Sequence, residues 1–363
     1  MLLPPNPNLR PSAVFAGLYA LLQEVLRASC AGRPVRDAAM PAGLWAAVQE
    51  NPPTVAVLAV FDAAVRALSE DERYELWHST RSAPTIRELL GDSTTTIPTP
   101  PAQLLSPLKA LVIHLFDRTS KLVDVEAACG ESLHDYCSRF ASARPQGNGN
   151  VCNVCGTDVL TQIRPGVGRD EQWRAAIDHL LAEATYPLIA LDPTNLLPVC
   201  YHCNSKAKLA KDLLHDKNGG RRLCFNPWTE CAHGHVNFTV NLTGLLPEAK
   251  VEFSPANPSQ GQKLNTWDAV YQVRSRVGGA FSSLAVILAR DLDLDNLQQF
   301  QLSIVQRAQA CASLARSEPY NYWRSLLYQA MLGLPALQLE QLRGTCQEGL
   351  NRASGGFAAQ FGI

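Results

Sequence analysis

Two Cys-x-x-Cys pairs, Cys152/Cys155 and Cys200/Cys203, enclose the dipeptide Asp178-His179 and the amide Asn195, and Asn204 follows the last cysteine at once. A Cys-x-x-Cys knuckle presents two thiolates on one tight turn, and two knuckles supply the four sulfurs of a tetrahedral structural Zn²⁺ site. The spacing therefore predicts a zinc-stapled segment, too small to stabilise itself by apolar burial and held by the metal instead. A four-thiolate zinc keeps no open position, so chemistry in this segment would fall to the enclosed carboxylate, imidazole and amides.

At 363 residues the chain is long enough for two or three domains, each with its own core. A hydrophobic fraction of 46% and a charged fraction of 18% are those of a soluble globular protein. A net charge of −1 gives no global field toward nucleic acid, so such binding must come from a local patch. Outside the knuckles the cysteines, among them Cys30, Cys311 and Cys346, are scattered, and the total of 11 is odd. That pattern suits a reducing cytoplasm with one zinc site better than a disulfide framework. The N-terminus lacks the basic start of a signal peptide. No run approaches the ~18 apolar residues of a membrane span, so the expectation is a cytoplasmic protein with no membrane partner.

Residues 1–145 read as helices. Ser12 caps a face of Leu18, Leu21, Leu22, Val25 and Leu26; Val55 to Leu68 repeats the pattern, and Ser69-Glu-Asp-Glu opens another helix. Asp92 to Pro101 reads as a polar linker, Leu104 to Val123 as one apolar helix, Glu131 to Phe140 as a further helix, and 143–150 as a boundary. Lys206, Lys208, Leu209, Lys211, Leu213 and Leu214 predict a basic amphipathic helix ended by Gly219-Gly220. Alternation over Val236 to Leu242 suggests short strands, and helices follow from Trp267, with the last eleven residues as a mobile tail.

The knuckles, Asp178-His179, Asn195 and the Cys203-Asn-Ser-Lys206 run resemble the HNH (ββα-metal) endonuclease family in its four-cysteine zinc form. Tyr186-Pro187, Asp192-Pro193 and Asn195-Leu196 add a likeness to HNH nucleases of bacterial defence systems, including Septu-type nucleases. The close likeness covers about 152–230, with a weaker echo to about 285. It implies a strand ending at His179, a second strand near Asn195, and a helix opening after Cys203. It also implies that His179 is the general base, that Asn195 orients it, and that Asp178 and Asn204 bind a catalytic Mg²⁺ or Mn²⁺. Where those relatives carry Pro-Lys, this chain has Ala182-Glu183.

These roles are chemically coherent. A neutral imidazole near its ordinary pKa of ~6.5 can take the proton of an attacking water, and hard oxygen ligands suit Mg²⁺, which polarises phosphate. Asn195 can accept from the second imidazole nitrogen or hold the backbone. His202 and His215 rival Asn204 for the third position, and the irregular spacing of Cys224, Cys231, His233 and His235 argues against a second metal site. Taken alone, Asp178-His179 reads as a solvent-facing helix pair, and the basic run as a solvated helix face. Beside a metal and a base, Lys206, Lys208, Lys211, Arg221 and Arg222 read as a phosphate track. Trp173, Tyr201 and Trp228 could stack on bases, although for the tryptophans the core is the simpler place.

The expectation is thus a mainly helical protein: a helical domain at 1–145, a zinc-stapled ββα-metal HNH core at 146–245, and a C-terminal helical domain at 246–363. It would cleave DNA, with RNA as a further possible substrate, in defence against phage or plasmids. A partner such as an ATPase or another defence component is consistent with the unassigned N-terminal domain. The alternative is a non-catalytic zinc ribbon that binds nucleic acid or scaffolds, which would bury His179 on the core side, away from Asn204.

Overall fold

A computed structural model describes residues 1–3, 9–142, 149–161, 164–168, 171–244 and 246–361. The described chain is mostly helical, with two separate two-stranded antiparallel sheets. It divides into two compact units whose segments are not consecutive: 5–145 with 160–230, and 1–4 with 146–159 and 231–363. A change of unit falls at 145/146, and none falls at 245/246. The boundary expected at 143–150 lies mostly outside the described residues.

The unit of 5–145 and 160–230 opens with α1 (Ala13–Ala31), capped by Ser12 and closed by Gly32 in the left-handed conformation. Then come α2 (Leu44–Gln49), α3 (Pro52–Arg66), α4 (Glu70–Arg81), α5 (Ile86–Gly91), α6 (Leu105–Asp117), α7 (Val123–Cys129) and α8 (Leu133–Ser142). Asn51 caps α3 ahead of Pro52, and Ser69/Glu72 and Thr85/Glu88 form capping boxes on α4 and α5. The apolar stretch from Leu104 to Val123 is not one helix. It breaks after Asp117 into a 3₁₀ turn, where Ser120 Oγ donates to the Phe116 carbonyl and Thr119 Oγ1 meets Thr54 Oγ1 at 3.0 Å. These hydroxyls compete with the helical ladder.

A short hairpin joins the same unit. Strand β1 (Ala176–His179) pairs with β2 (Leu196–Val199) in the register Ala176↔Val199 through His179↔Leu196. Two four-residue strands are marginal alone. Leu188, Leu191 and Leu196 bury in one core with Phe15, Leu22, Phe61 and Leu111 from the helices, and Tyr136 donates its hydroxyl to the Leu196 carbonyl at 2.9 Å. That shared core explains why the hairpin and the N-terminal helices form one unit.

The other unit carries β3 (Val236–Asn241) antiparallel to β4 (Glu248–Phe253), followed by α9 (Pro258–Tyr271), α10 (Val273–Ala280), α11 (Leu284–Asp291), α12 (Leu297–Ser313), α13 (Asn321–Leu332) and α14 (Ala336–Phe361). Backbone helix thus continues through most of the expected tail. Its core is aromatic: Trp267, Tyr271, Phe300, Trp323 and Tyr328 are fully buried.

By length and composition alone one described helix, Ala13–Ala31, could cross a membrane, and Pro52–Arg66 with Glu70–Arg81 would if the bent pair counted as one span. The expectation that no run approaches that length does not hold for α1. Its apolar face is nonetheless buried in the helical core.

Candidate metal and catalytic sites

The first knuckle is a turn closed by Gly156 N donating to the Cys152 carbonyl and Cys152 N to the Asp158 carbonyl, with a bridge between Val151 and Val159. Gly156 has φ +66°, and a Cβ there would stand 2.6 Å from Leu2 Cδ2, so only glycine fits. Two buried indoles hold the turn: Trp267 Nε1 donates to the Val154 carbonyl at 2.9 Å, and Trp323 Nε1 to the Cys155 carbonyl at 2.8 Å. Thr157 aims its amide (3.4 Å) and hydroxyl (3.2 Å) at Cys155 Sγ, and the Arg276 guanidinium lies 3.7 Å from the same sulfur. In the second knuckle, Cys203 N donates to Cys200 Sγ at 3.4 Å.

The sulfurs of Cys152, Cys155, Cys200 and Cys203 all lie within 4.8 Å of one another, and all four residues are buried. None of the 11 cysteines is in a disulfide. Four convergent soft ligands suit a tetrahedral metal such as Zn²⁺. The expected ligand set fits the ion. Among the described residues this is the one group of three or more His, Cys, Asp or Glu side chains so converged. His233 instead pairs with the Tyr322 hydroxyl at 3.1 Å, and His235 faces the Ser254 carbonyl at 3.3 Å.

His179 ends β1, and Asn195 immediately precedes β2. Asn195 is fully buried; its Oδ1 accepts from Leu181 N at 2.8 Å and its Nδ2 donates to Leu181 O at 2.9 Å, with weaker bonds to Ile189 O and Ala190 O. Of the two roles open to Asn195, holding the backbone is the one observed.

His179 is 8% exposed and tilts against Phe116 of α6, ring centroids 4.3 Å apart. Its Nδ1 lies 3.2 Å from Glu183 Oε2, while its buried Nε2 has no hydrogen-bond partner. A proton on Nδ1 would lie beside the carboxylate, in an ion-pair contact rather than an aligned hydrogen bond, and would leave Nε2 as the basic lone pair. Burial, reinforced by the Lys208 charge and opposed by Asp117, pushes the His179 pKa down to about 3. The ring is therefore neutral at working pH, and in this arrangement a weak base. Glu183, the departure from the resembled pattern, is the carboxylate beside its Nδ1.

Asp178 is 3% exposed, and Lys208 Nζ donates to its Oδ1 at 2.6 Å and also to the His179 carbonyl. Lys208, expected on a phosphate track, is itself 3% exposed. The basic amphipathic helix expected after Asn204 does not form. A π-helical turn, His202–Lys208, ends at Leu209 with φ 49° and ψ −123°, a conformation disfavoured by any Cβ. Asn204 is half-buried on that turn. His215 sits in a bridge to Arg221 and bonds Tyr186 Oη and Asp212, and His202 is exposed.

Of the expected phosphate-facing residues, Lys206 is exposed. Arg221 instead ties together the carbonyls of Leu89, Asp92 and Ser93, and Arg222 reaches the His215 carbonyl at 2.5 Å. Lys211 is partly buried, which lowers its pKa. Sequence reading missed two cation–aromatic pairs with exposed rings: Arg164 over Trp173 at 4.4 Å, and Lys206 over Tyr201 at 5.6 Å. Both aromatics flank the end of the hairpin where Ala176 pairs with Val199. Trp173 is 60% exposed rather than in a core, whereas Trp228 donates Nε1 to the Thr194 carbonyl at 2.7 Å.

The pairing of Asp178 with an ammonium does not fit a divalent ion bound by Asp178 and Asn204 as now arranged. Comparison with family models, curated proteins and solved structures finds no match.

Proposed function

We propose that the chain is an HNH-type endonuclease hydrolysing phosphodiester bonds of DNA, with His179 as base and with defence against phage or plasmids as its setting. The observation that carries this reading is the buried, unpartnered Nε2 of His179, a costly arrangement unless the atom has a use. Glu183 stands 3.2 Å from the ring's Nδ1, and the Asn195–Leu181 clamp fixes the loop behind it. In the reaction, water adds to phosphorus and gives its proton to Nε2. The bond to the 3′ oxygen breaks, and that oxygen takes a proton from solvent. Mg²⁺ or Mn²⁺ would find oxygen ligands at Asp178 and Asn204 only after Lys208 withdrew. The exposed Trp173 and Tyr201, each beside a cation, suit stacking on unpaired bases.

A second reading, a zinc-stapled scaffold that binds nucleic acid without cutting it, is favoured by the burial of His179 against Phe116 on the core side. Plasmid incubated with wild type and His179→Ala separates the two, with single-stranded DNA and RNA in parallel. A nuclease loses cleavage in the variant but keeps its fold, its zinc and its DNA binding. Equal products from both proteins overturn the assignment of His179.

A further inference from the structure

We infer that the cation of this site is the chain's own Lys208 ammonium, and that no divalent ion binds Asp178 while Lys208 is in place. The inference rests on the nuclease reading of Asp178 and His179 given above. Three observations meet here. Lys208 Nζ bonds both Asp178 Oδ1, at 2.6 Å, and the His179 carbonyl, two oxygens that face a common cation. The lysine and aspartate side chains are each 4% exposed, so the pair is sealed from water. The turn that delivers Lys208 is π-helical and ends in a left-handed, non-glycine Leu209, 66% exposed, a conformation that local sequence does not favour. Helical irregularity and backbone strain persist where surrounding contacts over-determine them, and they gather at functional sites.

The chemistry supports exclusion. A second cation in contact with Asp178 would meet the ammonium at close range in a low-dielectric pocket. Mg²⁺ and Mn²⁺ also retain several waters when protein-bound, and a sealed carboxylate leaves no room for them. An ammonium needs no such shell, carries three donors and uses two here, leaving one N–H for a phosphate oxygen once the site opens.

The test is Mn²⁺ binding to the zinc-loaded full-length chain, followed by electron paramagnetic resonance. Wild type should leave stoichiometric Mn²⁺ free. Lys208→Met, which keeps the length and removes the charge, should bind about one Mn²⁺ per chain, tighter by roughly tenfold or more. Adding Asp178→Asn to that variant should abolish the binding. Mn²⁺ held by wild type and lost in Asp178→Asn overturns the inference, and this comparison requires no Lys208 variant to fold. Plasmid cleavage by wild type in EDTA is the second readout: persistence supports the resident ammonium, and loss restored by Mg²⁺ counts against it. If wild type neither binds Mn²⁺ nor cuts any substrate, the nuclease reading fails while the cation assignment stands.

Discussion

Asn195 and Leu181 exchange a reciprocal pair of hydrogen bonds, amide to backbone, that pins the loop leaving β1 to the residue entering β2. The partners are 14 positions apart, so the pair closes the hairpin's connecting loop on itself. Asn195→Ala leaves a buried donor and acceptor of Leu181 unpaired, at about 1–3 kcal/mol for the first such group. Urea unfolding should show a loss of roughly 2–4 kcal/mol. A change below 0.5 kcal/mol would mean that the clamp is replaced by water.

The zinc site should bind about one Zn²⁺ per chain by metal analysis. Cys203→Ser should lose the metal and solubility. Trp323→Phe keeps every sulfur but removes the indole donor to the Cys155 carbonyl, so it should cost about 1–3 kcal/mol while retaining zinc. Zinc-free protein with an unchanged circular-dichroism spectrum would argue against a structural role for the four thiols.

Glu24, buried in α1, accepts from Arg27 Nε at 2.7 Å and Nη2 at 2.6 Å, and from the amide and guanidinium of Arg36. Chiefly through Arg27, its carboxyl falls from an ordinary 4.5 to about 2. A depressed folded pKa contributes stability that is complete above 4.5 and is lost as pH falls toward 2. The contribution is on the order of 3 kcal/mol. Wild type should outlast Glu24→Gln in urea at pH 7 by a margin that narrows only in that acid window. A margin that shrinks above pH 5 instead would assign the effect to another group.

Phe116 covers the His179 ring. Phe116→Ala should cost roughly 2–4 kcal/mol and raise carbethoxylation of His179 several-fold, read by mass spectrometry with exposed His202 as the internal standard. If His179 in wild type already reacts as fast as His202, the closed arrangement does not persist in solution.

Much of the site was legible because its signals are local. The knuckles declare themselves by spacing, the caps of α1 and α4 by Ser12 and Ser69, and the hairpin by the resemblance around His179 and Asn195. What escaped was set by distant partners. Lys208 looks like its neighbours Lys206 and Lys211, and nothing beside it reveals that Asp178, thirty residues earlier, will draw it inward. Arg221 reads as a free charge until the carbonyls at the end of α5 and beyond surround it. Periodicity over Lys206–Leu214 promised a helix because it counts side chains and cannot see the left-handed backbone at Leu209. Glu183 stood out as a departure, yet the imidazole it meets became visible only when the loop folded back.

The indoles that brace the first knuckle come from far along the chain: Trp267 reaches across 113 positions and Trp323 across 168. Contacts of such separation close late, because the entropy of the intervening loop must be overcome first. A ribosome releasing this protein therefore exposes Cys152 and Cys155 well before the scaffold that seats them exists. The same spacing sets a limit for the bench. A fragment cut at 146–245 would carry all four thiols, yet leave the Val154 and Cys155 carbonyls without their donors, so the smallest unit able to hold this knuckle in shape must extend through Trp323.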